Sequence, residues 1–269
     1  MVAGRDLIGG CGMRGTAILP APSRALSSSV QLCPPWIPIA AMRNLAFHRH
    51  YTKHPAGAVL AVCGDTRVLC TASIETDLPP HRKGTGGGWL TAEYAMLPGS
   101  TSPRKRRDGI KQDGRSVEIQ RLIGRSLRAA VNIDKLGPVT IALDCDVIQA
   151  DGGTRTTAIS GAWVALVDAL GVLARKQNKP GADYYLLGQV AAISVGIVGG
   201  QIVADLDYAN DSKAEVDMNV VMRGTDFIEV QGTGEQGAFS RDQLNQLLDA
   251  AALDIANVMT VQRAALAKS

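Results

Sequence analysis

Long apolar runs are missing from this 269-residue chain, and no stretch of its sequence is continuous enough in hydrophobic residues to predict a bilayer span. No membrane partner is therefore expected. Aromatic residues are scarce, at 4%, so nucleobases and other flat ligands would find few stacking platforms. Cysteine is limited to five residues with no CxxC pair, which argues against a zinc site. Cys63, Cys70 and Cys145 fall in apolar, strand-like runs, where cysteine behaves as a small buried hydrophobe. Cys11 and Cys33 fall in an irregular leader. An odd number of cysteines with buried positions fits a reducing compartment, and a cytoplasmic location is the expectation. Two common phosphate-binding signatures are also absent. No Gly-Lys-Ser/Thr follows a glycine-rich loop at Walker A spacing, and there is no dinucleotide glycine fingerprint.

Net charge is only +3, so bulk charge announces no particular partner. Its distribution says more. Between Arg104 and Arg128 nine Lys/Arg face three Asp/Glu, a local net of +6. Between Asp205 and Glu229 seven Asp/Glu face two Lys/Arg, a local net of −5. A basic stretch attracts phosphate and an acidic one can hold a metal ion, although both patterns also describe solvated faces.

Residues 1–41 read as a divergent, disordered leader. They hold three arginines and one acid, a serine patch at Ser27–Ser29, and prolines at 20, 22, 34, 35 and 38 that break any long helix or strand. Residues 42–269 read as a single domain. Ala58–Cys63 and Arg67–Ile74 look like strands joined by Gly64-Asp65-Thr66, and Gly88–Leu97 like another. Val117, Ile119, Leu122, Ile123, Leu127, Ala130 and Val131 recur at helical spacing. Val139–Ile148 predicts a strand and Thr156–Ala174 an apolar helix. Val190–Val198 and Gln201–Leu206 flank the hairpin signal Gly199-Gly200. Short strands are expected at Asn219–Met222 and Phe227–Gln231. Ser240 and Gln243 form a capping box at the start of a last helix. Hairpins mixed with long helices predict an α+β fold built on a mixed sheet.

The segment Asp151-Gly152-Gly153-Thr154-Arg155 lies between a predicted strand and a predicted helix. Two glycines let the backbone turn tightly and approach an anion closely. The helix N-terminus adds unpaired N–H groups, Thr154 a hydroxyl, and Arg155 a charged fork suited to phosphate oxygens. The pattern fits a site for one phosphate group, and it also fits a plain strand-to-helix turn. Asp113-Gly114-Arg115 opens the earlier helix and can aim a second arginine. In the acidic stretch, Asp205 and Asp207 are expected on one strand face, and Asp211 and Asp217 bracket a polar loop. Two such carboxylates brought together suit Mg²⁺, and one with a raised pKa can protonate a leaving oxygen. Turn and cap chemistry is the alternative for the same residues.

Taken together, these residues resemble the ribonuclease PH family. The matching segments are Tyr51-Thr52-Lys53-His54, Gly64-Asp65-Thr66 with Val68–Ala72, Gly88–Tyr94, Gly114-Arg115 with Glu118–Ile123, and Leu143–Asp146 running into Gly153-Thr154-Arg155. Asp211-Ser212, Ala214–Asn219 and Glu229–Thr233 complete the series. The match runs in order from about Arg43 to the C-terminus, without large gaps. The resemblance implies a domain of βαβα type that assembles as a homohexamer, a trimer of dimers. It implies that inorganic phosphate, held by Arg115, Gly153, Thr154 and Arg155, attacks the last phosphodiester of RNA and releases a nucleoside diphosphate. Asp211 and Asp217 match the family's metal and acid positions, with Mg²⁺ as the implied metal. Arg104, Lys105, Arg106 and Arg107 match a basic segment for RNA contact and ring assembly. The implied substrate is the 3′ end of tRNA precursors. Two features depart from the pattern: residues 1–41 match nothing in it, and Asn210 stands where many relatives carry an acid. The alternative is a non-catalytic RNA-binding ring subunit of an exosome-like assembly. Such subunits tend to lose the phosphate arginine or the paired aspartates, and this chain keeps them.

Overall fold

The computed structural model describes residues 42–107 and 113–268. The leader expected over residues 1–41 lies outside the described residues, as do Cys11 and Cys33. Strands β1 (Leu45–Arg49), β2 (Gly57–Cys63), β3 (Thr66–Glu75), β4 (Trp89–Met96) and β5 (Thr140–Gln149) form one sheet in the order β1-β2-β3-β5-β4. Neighbours run antiparallel except β4 and β5, which are parallel. A parallel pair needs a crossover, and helix α1 (Gly114–Arg128) lies in that connection. Strands β6 (Val190–Val198), β7 (Gln201–Ala204), β8 (Val216–Arg223) and β9 (Asp226–Gly234) form a second, antiparallel sheet in the order β7-β6-β8-β9. The α+β expectation with a mixed sheet holds.

Helix α2 (Thr154–Lys176) joins the two sheets. It packs on β2 and β3 of the first and on β6 of the second. Two other helices follow, α3 (Tyr208–Asp211) and α4 (Arg241–Leu266), the latter packed on β6 and β1. Along β3 and β5, buried residues alternate with half-buried ones, the period of two that puts one sheet face against helices. Val68, Cys70 and Ala72 on β3 meet Leu143, Cys145 and Val147 on β5 in that layer. All three of these strand cysteines, Cys63 included, are free thiols in the core, as their apolar settings predict.

One expectation needs correction. Helix α2 is long and apolar enough to cross a membrane, by length and composition alone. Its side chains instead fill the core between the sheets, with Ile159, Val164, Leu166 and Leu170 fully buried. Small residues allow this close packing. A Cβ on Gly57 of β2 would fall 1.9 Å from the Ala165 carbonyl oxygen of α2, and one on Gly161 would fall 2.6 Å from the Ala61 Cβ.

Element ends also differ from the sequence reading. Strand β1 precedes the point at which the sequence pattern becomes regular. Strand β7 stops at Ala204, because Asp205 turns the chain with φ of +57°. Asp205 and Asp207 therefore do not alternate on a strand face. The capping box is formed: Ser240 Oγ accepts from the Gln243 N–H, and Gln243 Oε1 accepts from the Ser240 N–H.

Candidate active site

The loop after β5 carries the first half of the site. Gly152 and Gly153 both have positive φ, +72° and +61°. A side chain at Gly152 would collide with the chain that leads into α3, since a Cβ there lies 2.5 Å from the Leu206 carbonyl oxygen. Gly153 is the N-cap of α2 and offers no capping side chain. The backbone N–H groups of Gly152, Gly153, Thr154, Arg155 and Thr156 donate to no described residue. Such a row of free donors at a helix N-terminus is suited to an anion.

Side chains complete the loop. The Thr154 hydroxyl accepts from the buried Tyr94 hydroxyl at 3.0 Å. This bond directs the Thr154 hydrogen away from Tyr94. Arg155 Nη1 donates to Gln231 Oε1 at 2.9 Å, and Glu118 Oε1 lies 3.7 Å from it. Gln231 in turn donates to Glu118 at 2.7 Å. One edge of the guanidinium is thus fixed by β9 and α1. Across the cleft, Arg115 follows the N-cap of α1, where Asp113 accepts from the Ser116 N–H. Hydrogen bonds from Lys105 and Ser116 hold the Asp113 carboxyl down to about 2. Arg115 itself makes no hydrogen bond or ion pair with a described residue.

Two carboxylates face these arginines. Asp211 ends α3 and Asp217 lies on β8. Neither carboxylate accepts a hydrogen bond from a described residue. Burial raises the pKa of both. The nearby Arg115 and Arg155 pull each downward, and for Asp217 the negative charge of Asp211 adds to burial and leaves it at about 6. Arg115, Arg155, Asp211, Asp217 and Asn219 line both lobes of one cleft, of about 510 and 700 Å³. Gly153 and Thr154 line the larger lobe, while Glu118, Gln231 and Glu235 line the smaller.

The other acids of the stretch have structural tasks. Asp207 caps α3 by accepting from the Asn210 N–H at 2.8 Å. Glu215 accepts from the Gly200 N–H and closes the β6–β7 hairpin. Asp205 is buried against Arg43. The basic segment divides as well. Arg104, Arg106 and Arg107 are exposed, whereas Lys105 turns inward to Asp113 and lines the larger lobe. The sequence reading missed Tyr94, Glu118, Gln231 and Arg43 as participants, and it set Asp205 on a strand face without its partner Arg43. The first three lie within the segments that carry the family resemblance, so their presence was visible but their partners were not.

The chain is similar to known proteins over most of its length. The family model for domain 1 of the 3′ exoribonuclease family matches residues 41–170, and that for domain 2 matches residues 188–252. The chain is 52% identical over 227 residues to a ribonuclease PH of Corynebacterium diphtheriae, covering 84% of this chain and 93% of that protein. It is 54% identical over 228 residues to the ribonuclease PH of Corynebacterium efficiens, covering 84% and 92%. Among solved structures, rice Rrp46 superposes with a TM-score of 0.67 at 17% identity, covering 85% of this chain and 96% of that one. A chain of the Archaeoglobus fulgidus exosome with RNA bound to the active site gives 0.68 at 17% identity, covering 81% and 87%. At that identity the two structures speak for the fold alone.

Proposed function

Since the chain belongs to the 3′ exoribonuclease family and is similar to ribonuclease PH over most of its length, we propose that the cleft between the α2 N-terminus and β8 is its phosphorolytic centre. The protein is a phosphate-dependent 3′-to-5′ exoribonuclease, a nucleotidyltransferase in reaction type. The supporting observation is the meeting of loop N–H groups and two arginines with two carboxylates, none of the N–H groups donating to, and neither carboxylate accepting from, a described residue.

In this reading Gly153, Thr154 and Arg155 cradle inorganic phosphate, and Arg115 approaches it from the other wall. An oxygen of the bound phosphate attacks the last phosphodiester of RNA. The new P–O bond forms as the bond to the 3′ oxygen of the preceding nucleotide breaks. The products are a nucleoside diphosphate and RNA one residue shorter. Nucleophile and target are both anionic, so the arginines and the α2 N–H groups must offset charge as the two approach. Asp217, at about 6, is protonated often enough near neutrality to give a proton to the departing 3′ oxygen. The attacking hydrogen phosphate returns one.

Mg²⁺ fits the carboxylate pair. Among the described residues no group of three or more His, Cys, Asp or Glu forms a closed cage. Two open carboxylates suit a small hard cation that keeps several waters and shares phosphate oxygens. When bound, it neutralises charge on the reacting phosphates. Asp211 would hold it, joined by Asp217 in its ionised form, and their mutual repulsion would fall.

Finer features belong to the same proposal. Residues 42–269 act as one ribonuclease PH domain. The assembly is a homohexameric ring, a trimer of dimers, working in the cytoplasm on the 3′ ends of tRNA precursors. Arg104, Arg106 and Arg107 present an exposed basic edge to the RNA backbone. With few aromatics, contact to RNA is through phosphates and does not read sequence. The decisive experiment incubates 3′-extended RNA with and without inorganic phosphate. Shortening that depends on phosphate and releases nucleoside diphosphates is expected. Monophosphates without phosphate would show hydrolysis and overturn the proposal.

A further inference from the structure

The row of free N–H groups in the phosphate loop exists only because the loop is tied down on its other side. Asp151 and Gly152 have three polar backbone groups engaged there. Thr66 Oγ1 accepts from the Asp151 N–H at 2.9 Å and donates to the Gly152 carbonyl at 2.7 Å. Arg43 Nη1 donates to the Asp151 carbonyl. Arg43 also lies directly behind Gly153, where a Cβ would come 3.1 Å from its Nη2. The loop has no side-chain cap, and beside the Thr156 hydroxyl, which donates to the Gly153 carbonyl, and the Tyr208 N–H, which donates to Asp151 Oδ1, these contacts fix which way its N–H groups point.

Arg43 is itself fixed by one residue. Asp205 Oδ1 accepts from Arg43 Nη2 at 2.6 Å, and Asp205 Oδ2 accepts from the Arg43 backbone N–H at 2.8 Å. The Cys63 thiol, 7% exposed, donates to the same carboxylate at 3.4 Å. Asp205 is 9% exposed and sits at a positive φ, where an L-residue is costly and aspartate is among the few tolerated. Its strained position sets the carboxylate against the start of the first sheet, 162 residues away in sequence. A buried charge pair of this kind is a costly way to gain stability, so its geometry needs another reason. The contact from Arg43 to the phosphate loop supplies one.

We infer that Arg43, oriented by Asp205, is a positioning residue for phosphate: it presses the Asp151–Gly153 backbone into the shape that aims the α2 N–H groups at the anion. It touches neither phosphate nor RNA in this scheme. The inference rests on the proposed phosphate role of Gly153–Arg155 and adds residues outside that loop. Its signature is selective. Loosening the clamp weakens phosphate binding and leaves RNA binding as it was.

The test uses Arg43→Lys, which keeps the charge but cannot span both Asp205 and the Asp151 carbonyl, and Asp205→Asn, which keeps the shape. Each is compared with the parent by titrating phosphate at saturating RNA, then RNA at saturating phosphate. KM for phosphate should rise about tenfold, the range typical of lost supporting contacts. KM for RNA, and kcat at saturating phosphate, should stay within about twofold, since neither group is among those contacts. If phosphate cannot be brought to saturation for a variant, the rise in melting temperature produced by inorganic phosphate alone gives the same comparison. An unchanged phosphate constant, or equal losses for phosphate and RNA, overturns the inference. Arg155→Ala, run in parallel, separates the two layers. If it weakens phosphate and Arg43→Lys does not, only the clamp is wrong. If Arg155→Ala has no effect on phosphate, the loop assignment falls and the clamp falls with it.

Discussion

Replacing Asp217 by asparagine should make the protein more stable while it destroys turnover. Asp217 is held at about 6 against an ordinary carboxyl value of 3.8, first by burial and then by the charge of Asp211. That difference corresponds to about 3 kcal/mol at about 1.36 kcal/mol per pH unit. The side chain is only partly buried, and solvent screening reduces the figure to about 1–1.5 kcal/mol. The sign follows from proton binding. Below 3.8 the carboxyl is protonated in both folded and unfolded chains, and there is no penalty. Between 3.8 and about 6 the folded protein keeps a proton that the unfolded chain has lost, so stability falls as pH rises. Above about 6 both states are ionised and the whole penalty is present. Asparagine has no charge to desolvate and no repulsion with Asp211. Its melting temperature in a chelator at about pH 8 should exceed the parent's by about 2–6 °C. The gap should close as pH falls toward 4. Added Mg²⁺ should also narrow it by stabilising the parent alone. Melting curves at several pH values decide the matter. A variant that is no more stable at high pH, or one offset equally at every pH, would show that Asp217 carries no stored repulsion.

Arg115→Ala and Arg155→Ala should each raise KM for phosphate, by the loss of a charge-assisted contact of about 1.5–3 kcal/mol, with RNA affinity in filter binding little changed. Catalytic rate should decline as pH rises through about 6, because the donor form of Asp217 is lost there. A rate measured at saturating phosphate and RNA that is flat across this range would remove Asp217 as the acid. Gly152→Ala should impair folding or phosphate use, since its Cβ would lie 2.5 Å from the Leu206 carbonyl at a φ of +72°; thermal melting and a phosphate titration check both. Gln231→Ala should free one edge of Arg155 and weaken phosphate less than Arg155→Ala does. A larger loss would mean that Gln231 contacts substrate itself.

The glycine turn at the start of α2, the proposed phosphate loop, was legible in the sequence because its logic is local. Two adjacent glycines between a strand and an apolar helix leave few backbone alternatives, and Arg155 follows within the first turn. The acids were legible only as a group. Asp207, Glu215 and Asp211 are alike in sequence, and their roles separate only when α3 forms and the β6–β7 hairpin closes over Glu215. The clamp could not be read at all. Arg43 meets Asp205 across 162 residues, and Gln231 meets Glu118 across 113. Such pairs are set by how the two sheets stack on α2, which no local pattern encodes. Strand β1 escaped notice for a related reason. It is short and only Phe47 of it is buried, so its apolar signal is weak.

The placement of α2 has a consequence for how the enzyme can change. This helix is buried over most of its length because two sheets close upon it, and its first turn carries the proposed phosphate residues Thr154 and Arg155. Its axis therefore cannot rotate or slide without disturbing both sheets at once. The end proposed to bind phosphate behaves as a fixed datum, set by the same contacts that hold the fold together. Adaptation to different RNA ends has to come from the walls opposite it: the first turn of α1, the short helix α3, the β8–β9 pair and the exposed arginines before α1. A survey of substitutions should find those walls tolerant away from Arg115, Asp211, Asp217 and Gln231, and α2 intolerant at its buried positions, including ones far from the chemistry.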